Sequence, residues 1–465
     1  MNLTQLMLAC GKACIFSVIL TPIVRDIFRS YNVVDRPGRR KVHAYPIPRV
    51  GGISIMIAFV LALNSLRGPG SVFPVHWLQT VLSGTAIVFL TGLVDDFMNL
   101  RPGVKLGGQV AAAGVAFANG LSIDHLGNAA LPVWLSLPIT IFWLLLATNA
   151  LNLIDGLDGL CAGIALWATL SFAALGFAHG DKVLVLTALP LATALLGFLV
   201  FNFNPATVFL GDSGALTAGF LLGCFGIIWA GHRITATRIA IPILVLCVPM
   251  LDLGLSIVRR RLKKQPIFSA DRGHIHHRLH ERGLSVRRVA FILYAVGVAG
   301  GLLGLLLSFS GGNIVLQGIV LAVLAAAALA GIRELRYPEF EVAGRLLFQG
   351  EFHRVFAERL RMKQLAQTLE RTSTGDEWWR LLIAAAREWN WVQLKWIGPG
   401  GLREEVLAVR KPTWSFVIEL SDAESVRVEG VDQTAELSPD LIALSAILRR
   451  TFQRGLREWS QPALS

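Results

Sequence analysis

"LPITIFWLLLATNALNLIDGLDGLCAGIALWATLSFAALGF", residues 137–177, decides how the chain is read. Two apolar runs, 137–148 and 161–177, flank "NALNLIDGLDGL" (149–160), which carries Asn149, Asn152, Asp155 and Asp158. Together with neighbouring residues each flank approaches the roughly 20 predominantly apolar residues that cross a hydrocarbon core. Carboxylates at the mouth of such runs are costly unless they are wet, paired or functional.

Composition extends the same reading to most of the chain. Of 465 residues, 54% are hydrophobic and only 16% charged, with a mean hydropathy of +0.58; soluble domains carry about 25% charged residues. Apolar runs fall near 4–24, 51–66, 75–94, 106–123, 134–152, 159–179, 183–203, 214–231, 238–258, 289–309 and 313–332. The expected fold is an all-α polytopic membrane protein with about eleven transmembrane helices. The first run contains Lys12 and lacks both a basic n-region and a small-residue cleavage site, so it reads as a retained helix. Cys10, Cys14, Cys161, Cys224 and Cys247 all lie in apolar runs with no metal or disulfide spacing, and read as packing residues.

A net charge of +12 would suit nucleic acid, but its distribution argues against that partner. Arg25, Arg29, Arg36, Arg39, Arg40, Lys41, Arg49, Arg101, Lys105 and the run from Arg259 to Arg288 follow odd-numbered spans. The even-numbered connections hold only Arg67, Lys182, Arg233 and Arg238. Short cytoplasmic loops carry the excess of Lys and Arg, so the first set is expected to face the cytoplasm, with the N-terminus outside and the C-terminal tail inside. The remaining role of the positive balance is attraction for anionic lipids and phosphates.

Five polar stretches share that expected side: "VVDRPGRRKVHAYPIPRVGG" (33–52), "LVDDFMNLRPGVKLGGQ" (93–109), "NALNLIDGLDGL" (149–160), "FNFNPATVFLGDSGAL" (201–216) and "DRGHIHHRLHERGLS" (271–285). Taken singly, each has a plain explanation. Asp95 and Asp96 could be a solvated helix end, and Asp212 a cap on the following span. Asp155 and Asp158 would share a face if their helix continued, whereas Gly156 and Gly159 permit a break. Taken together, five acids in one wet pocket repel one another unless a hard divalent cation is present. Carboxylates, amide oxygens and water are its ligands, and Mg²⁺ takes one or two carboxylates plus substrate phosphates. Asn152 and Asn202 add neutral oxygens that suit a metal, a base or a sugar. Lys41, His43, Arg49, Lys105, Arg272, His274, His276, His277 and Arg278 surround these acids in the sequence. Acids for a metal and bases for oxyanions are the two parts that phosphoryl transfer requires. The three histidines lack supporting zinc spacing, and there is neither a Walker A nor a Rossmann glycine pattern.

These five motifs, in order over residues 1–335, resemble the polyprenyl-phosphate N-acetylhexosamine-1-phosphate transferase family, the WecA/TagO/MraY group. The "HIHHRL" and "VHAYPIPRVGG" forms look closer to the WecA/TagO branch than to the MurNAc-pentapeptide branch. The resemblance implies a membrane-embedded transferase in the bacterial cytoplasmic (inner) membrane, with its site on the cytoplasmic side. It would move N-acetylhexosamine 1-phosphate from a UDP-N-acetylhexosamine (UDP-GlcNAc, UDP-GalNAc or UDP-QuiNAc) to undecaprenyl phosphate. UMP is released, and the product begins a cell-envelope polysaccharide. Membrane lipids are the other implied partners, and a homodimer is compatible. The implied cofactor is Mg²⁺, with Mn²⁺ an alternative.

By motif position, the resemblance makes Asp212 the metal-ligand aspartate and Asn152 a second ligand, with Asp155 beside it. Asp95, Asp96 and Asp158 fall in the catalytic set. Lys105, Asn202, Arg272, His274, His276 and His277 match donor-binding positions, and Lys41 and His43 align more loosely with substrate-binding ones. The chemistry also stands by itself. A phosphate monoester with a second pKa near ~6 is already mostly a dianion at neutral pH. Its obstacle is repulsion from the donor pyrophosphate, which a cation and basic side chains relieve. Direct in-line attack is therefore expected, with a phospho-aspartate on Asp95 or Asp96 as the alternative.

From about residue 336 the composition changes. Residues 345–371 have the spacing of a charged amphipathic helix, and "DEWWRLLIAAAREWNW" reads as another. "VQLKWIG", "EEVLAVR" and "SFVIEL" read as strands. "SPDLIALSAILRRTFQRGLREW" reads as a closing helix with Ser438 at its N-cap. Residues 336–465 are thus expected to form a helical linker and a small cytoplasmic α/β domain without a catalytic constellation. Two other classes remain to be weighed. A transporter would place its polar groups near the midplane and show repeats. A CDP-alcohol phosphatidyltransferase would follow its Asp-Gly pair with Ala-Arg, which "IDGLDGLCAG" lacks.

Overall fold

The computed structural model describes residues 3–35, 45–66, 75–231, 233–262, 265, 273–311, 313–335, 362–389, 391–399, 401–409, 411–430 and 439–459. The chain divides into two compact units, Met1–Glu339 and Phe340–Ser465.

The described part of the first unit is helical: α1 (Leu3–Ser30), α2 (Gly51–Asn64), α3 (Val75–Met98), α4 (Pro102–Ala118), α5 (Val133–Leu153), α6 (Leu160–His179), α7 (Lys182–Asn202), α8 (Gly211–Ala230), α9 (Ala236–Val245), α10 (Cys247–Leu262), α11 (Ile275–Glu281), α12 (Val286–Ser308) and α13 (Ile314–Leu335). Every apolar run in the sequence overlaps one of these helices or, for the ninth, a bent pair. Seven of them (α1, α3, α5, α6, α7, α8 and α12) are long and apolar enough to cross a membrane, and α9 with α10 makes an eighth candidate. In the other three runs α2 has 14 residues and α4 has 17, while α13 has 22, of which Val315–Gly331 is the apolar part.

The ninth run was read as one span, yet α9 and α10 meet at 91°. Pro249 accounts for the break. Its ring cannot donate, and it would collide with the carbonyl of Val245 if the helix ran through. Within the first turn of α10 the same proline is tolerated.

α8 forms the axis of the unit. It is buried along nearly its whole length and flanked by α3 and α5. Its small residues let neighbouring backbones come close, as membrane helix packing favours, and the Trp143 indole on α5 donates to the Gly223 carbonyl at 2.9 Å. On the periphery, Leu3, Met7, Leu8, Ile15, Ile19, Ile23 and Ile27 of α1 are exposed, as residues facing lipid would be. The α4–α5 and α8–α9 connections meet in a small sheet, β1 (His125–Leu126), β2 (Ala129–Ala130) and β3 (Arg233–Ile234), ordered β2-β1-β3.

The second unit has a four-stranded antiparallel sheet, β4 (Gln393–Gly398), β5 (Gly401–Val406), β6 (Trp414–Ser421) and β7 (Glu424–Gly430), ordered β5-β4-β7-β6. Its helices are α14 (Gly375–Glu388) and α15 (Pro439–Trp459), preceded by a helical stretch at 362–369. Period-two alternation buries Ile418, Leu420, Val426 and Val428 together with Trp378, Leu382, Leu448 and Phe452. Strand β7 was not expected, because only two apolar residues stand among its charges. Ser438 and most of the expected 345–371 helix lie outside the described residues.

Candidate active site

The loops that follow α1, α3, α5, α7 and α10 are tied to one another at one end of the first unit. The 45–50 segment runs beside 209–210: Phe209 N donates to Pro48 O at 2.8 Å, Gly51 N to Phe209 O at 2.9 Å, and Gly52 N to Leu210 O at 3.0 Å. This stitching brings Arg49 to the start of α8. The end of α3 reaches the same place. Asp96 Oδ1 accepts from the Asp212 amide at 2.7 Å, and its Oδ2 accepts from the Ser213 amide at 3.0 Å. Asp96 therefore caps α8 from another helix, satisfying donors that a helix start leaves orphaned. The contact requires glycine on both sides. A Cβ on Gly211, whose φ is +74°, would stand 2.7 Å from the Asp96 carboxylate. A Cβ on Gly92 would stand 2.6 Å from the Asp212 carbonyl oxygen.

Asp95, one residue earlier, has a different fate. Its Oδ1 accepts from the Leu100 amide at 2.6 Å, and its Oδ2 accepts from Lys105 Nζ at 3.1 Å. Lys105, in the first turns of α4, also donates to Asp212 Oδ2, so one ammonium bridges two carboxylates from α3 and α8. Asn152, near the end of α5, completes the group: its amide can donate to Asp212 Oδ1 at 3.1 Å and accept from Lys105 Nζ at 3.3 Å. The side chains of Lys105, Asp95 and Asp212 are 17%, 12% and 15% exposed. Such partial dehydration distinguishes them from a surface ion pair, whose charges water screens.

The "NLIDGLDG" helix does not continue. α5 ends at Leu153 and α6 starts at Leu160, with Gly159 at φ +74°, so Asp155 and Asp158 do not share a helix face. Asp155 stays in the field of Arg49, Asp212, Asp96 and Lys105. Burial raises its pKa, Arg49 opposes, and Asp212 and Asp96 add to the rise, leaving it at about 7. The Arg49 guanidinium feels the reverse. Burial would lower its pKa, but Asp212, Asp96 and Asp155 carry it above its ordinary value. Asp158 turns to the next loop, accepting from Asn204 Nδ2 at 2.9 Å and the Ala206 amide at 3.0 Å. Asn202 is buried and donates to Val208 O at 2.9 Å within that loop. Asn149 pairs with Gln109 at 2.7 Å. All three brace the loops.

The histidine segment packs against the loop between α5 and α6. His276 is buried against Gly156, next to Asp155; a Cβ on that glycine would lie 2.5 Å from His276 Nε2. Burial, with His277 beside it, pushes the His276 pKa down to about 3, so the ring is neutral. The rings of His274, His276 and His277 lie within 4.2–6.4 Å of one another. His274 is held by Asp252 of α10 at 2.7 Å, a partner the sequence reading did not single out. The polar stripe of Asp252, Ser256 and Arg259 in an otherwise apolar run was the available signal. Lys41, His43 and Arg272 lie outside the described residues.

Asp95, Asp212, Asn152, Lys105 and Asp155 thus converge, with Arg49 and the histidines around them. Among the described residues no three His, Cys, Asp or Glu side chains make a ready metal cage. Mg²⁺ does not need one, since it keeps water and substrate phosphates as ligands. The hard oxygens of Asp212, Asp95 and Asn152, already gathered around one ammonium, are a donor set that fits it.

Comparison with known proteins gives the family of the chain. Residues 78–230, which include Asp95, Lys105, Asn152, Asp155 and Asp212, match the model for glycosyl transferase family 4. A Bacillus subtilis protein named "probable undecaprenyl-phosphate N-acetylglucosaminyl 1-phosphate transferase" is 35% identical over 285 residues, 60% of this chain and 78% of that protein. The decaprenyl-phosphate N-acetylglucosaminephosphotransferase of Mycobacterium tuberculosis is 33% identical over 324 residues, 63% of this chain and 80% of that one. The phospho-N-acetylmuramoyl-pentapeptide-transferase of Moorella thermoacetica is 35% identical over 280 residues, 56% and 84% respectively. A multi-pass membrane protein with these relatives and these ordered motifs belongs to glycosyl transferase family 4, the polyprenyl-phosphate N-acetylhexosamine-1-phosphate transferases.

Proposed function

We propose that this enzyme transfers GlcNAc 1-phosphate from UDP-GlcNAc to undecaprenyl phosphate, giving the polyprenyl-diphosphate sugar and UMP, as the first step of a cell-envelope polysaccharide. The observation that carries this is the Lys105 ammonium between Asp95 and Asp212, at a helix-end site where a soluble and a lipid-borne anion can meet. The names of the Bacillus and Mycobacterium relatives support the sugar and the lipid carrier.

Taken over the eleven crossings expected from the sequence, the positive-inside distribution supports a site on the cytoplasmic side of the inner membrane, with residues 336–465 also inside. Mg²⁺ held by Asp212, with Asn152 and Asp155 beside it, would neutralise the donor pyrophosphate and the departing UMP. The protein's own groups do the rest. Lys105 and Arg49 offset phosphate charge and hold the two anions in line. Asp95 orients Lys105, and the histidine segment and Arg272 hold the donor. The dianionic carrier phosphate attacks the β-phosphorus, the bond to the bridging oxygen breaks, and UMP leaves with that electron pair. Both Asp96 oxygens already accept backbone N–H groups, which favours this direct route over a phospho-enzyme at that position.

The test is UMP release by the purified full chain, supplied with undecaprenyl phosphate and a panel of UDP-sugars, with Mg²⁺ or with excess EDTA. Release with UDP-GlcNAc and Mg²⁺, abolished by EDTA and by Asp212→Ala, is expected. Turnover with UDP-MurNAc-pentapeptide alone, or undiminished turnover of Asp212→Ala, would overturn the reading.

A further inference from the structure

Asp252, Ser256 and Arg259 stand at i, i+4 and i+7 of α10 and share one helix face. Each is at most 1% exposed. Charged side chains are rarely buried so fully without a structural or functional partner, and these engage residues 273–275, the entry to α11. Asp252 Oδ1 accepts from the Ile275 amide at 2.7 Å, and its Oδ2 lies 2.7 Å from His274 Nδ1. Ser256 Oγ lies 3.3 Å from the same ring nitrogen and accepts from Arg259 Nη2 at 3.1 Å. Arg259 packs on Gly273, where a Cβ would stand 2.5 Å from the guanidinium carbon. From this anchored point His274 stacks on His276, with ring centroids 5.7 Å apart and planes 9° from parallel. His276 in turn rests on Gly156 beside Asp155.

An ionised carboxylate only accepts hydrogen bonds. The Asp252 oxygen facing Nδ1 therefore requires that nitrogen to carry the hydrogen, and in the neutral ring Nε2 is then the acceptor; the bond made by one ring nitrogen sets the state of the other. We propose that Asp252 is a positioning residue of the transfer site: it locks His274 as the Nδ1–H tautomer and pins the first turn of α11. The stacked histidines are thereby presented to the donor in one arrangement. This rests on the reading that the histidine segment holds the UDP-sugar. Asp252 itself does not need to touch substrate.

Asp252→Asn separates the two roles. The amide oxygen can still accept from Ile275, but the amide nitrogen donates toward His274 Nδ1 and favours the opposite tautomer. The full chain is labelled with ¹⁵N-histidine in detergent micelles, and its long-range ¹H–¹⁵N spectra report each ring's tautomer; His274→Gln identifies the His274 signal. The expected result is Nδ1–H in the unaltered protein and Nε2–H in Asp252→Asn. In UMP release, Asp252→Asn should lower kcat/KM for UDP-GlcNAc about 10–100-fold, the range for losing an orienting partner of a histidine. That fall should come from donor KM, with the KM for undecaprenyl phosphate unchanged. In a His274→Gln background the second change should cost less than about twofold, because coupled residues are not additive. Losses that multiply, equal rises in both KM values, or an Nε2–H ring in the unaltered protein would overturn the proposal. The last measurement decides even if Asp252→Asn fails to fold. It is also independent of turnover, so an unaltered protein that releases no UMP would refute the functional reading separately.

Discussion

Asp96→Asn tests whether the second acid of the "DD" pair works on substrate or on the protein. Its two oxygens accept the Asp212 and Ser213 amides at 2.7 and 3.0 Å, at the start of α8, the most buried of the candidate membrane spans. An asparagine can satisfy one amide, but it turns an N–H toward the other and removes the negative charge. Leaving one buried donor without its partner costs about 1–3 kcal/mol, and losing a charge at a helix N-terminus costs about 0.3–1 kcal/mol more. A total near 2–3 kcal/mol should lower the melting temperature in detergent by on the order of 5 °C, taking roughly 2–4 °C per kcal/mol for a large domain and the lower part of that range for this larger unit. Turnover should fall with it, because the same turn carries Asp212. The assays are a fluorescence-detected melt and UMP release on one preparation. A variant that melts with the unaltered protein but releases no UMP would refute the capping argument and assign Asp96 a direct part in the chemistry.

Gly211→Ala should lose about 1–3 kcal/mol, the cost of a non-glycine residue in the left-handed region, and should disturb Asp96, which lies 2.7 Å from the new Cβ; an unchanged melt would contradict the close approach of α3 and α8. Lys105→Met leaves Asp95 and Asp212 facing each other without their shared cation, and kcat should fall about 10²–10³-fold, as for loss of a charge-stabilising group; steady-state UMP release reads this, and a loss under about threefold would count against it. His276 supplies a pH signature. Its folded pKa is depressed to about 3 from an unfolded value near 6.5, so between these values the unfolded segment holds more protons. Stability of the α11 docking should therefore be full above about pH 6.5 and fall as the pH drops, by up to about 1.4 kcal/mol per unit. Hydrogen exchange of the α11 amides between pH 7 and 5, corrected for intrinsic rates, should show this trend, and His276→Phe should flatten it; an equal slope in both proteins would sink the assignment.

Much of the architecture was legible because hydropathy acts locally. An apolar run must be helical in lipid, where every backbone group needs an internal partner, so the runs that hold the seven long apolar helices and the bent pair could be found from composition and length. The acids and bases at their ends were legible for the same reason, since charge stands out against such a background. What each acid does was settled by contacts distant in the chain. Asp95 and Asp96 are neighbours in sequence, but successive residues on a helix point about 100° apart; one meets Lys105 and the other the start of α8, 116 residues away. Asp155 and Asp158 part because the helix breaks between α5 and α6, leaving one at the acidic centre and the other bracing the 202–208 loop. Asp252 went unnoticed because a single carboxylate in an apolar run says nothing of the histidine 22 residues on that it orients. Burial preferences are written residue by residue, whereas the pairing of charges depends on which helix ends the packing of α8 draws together, and only the tertiary structure decides that.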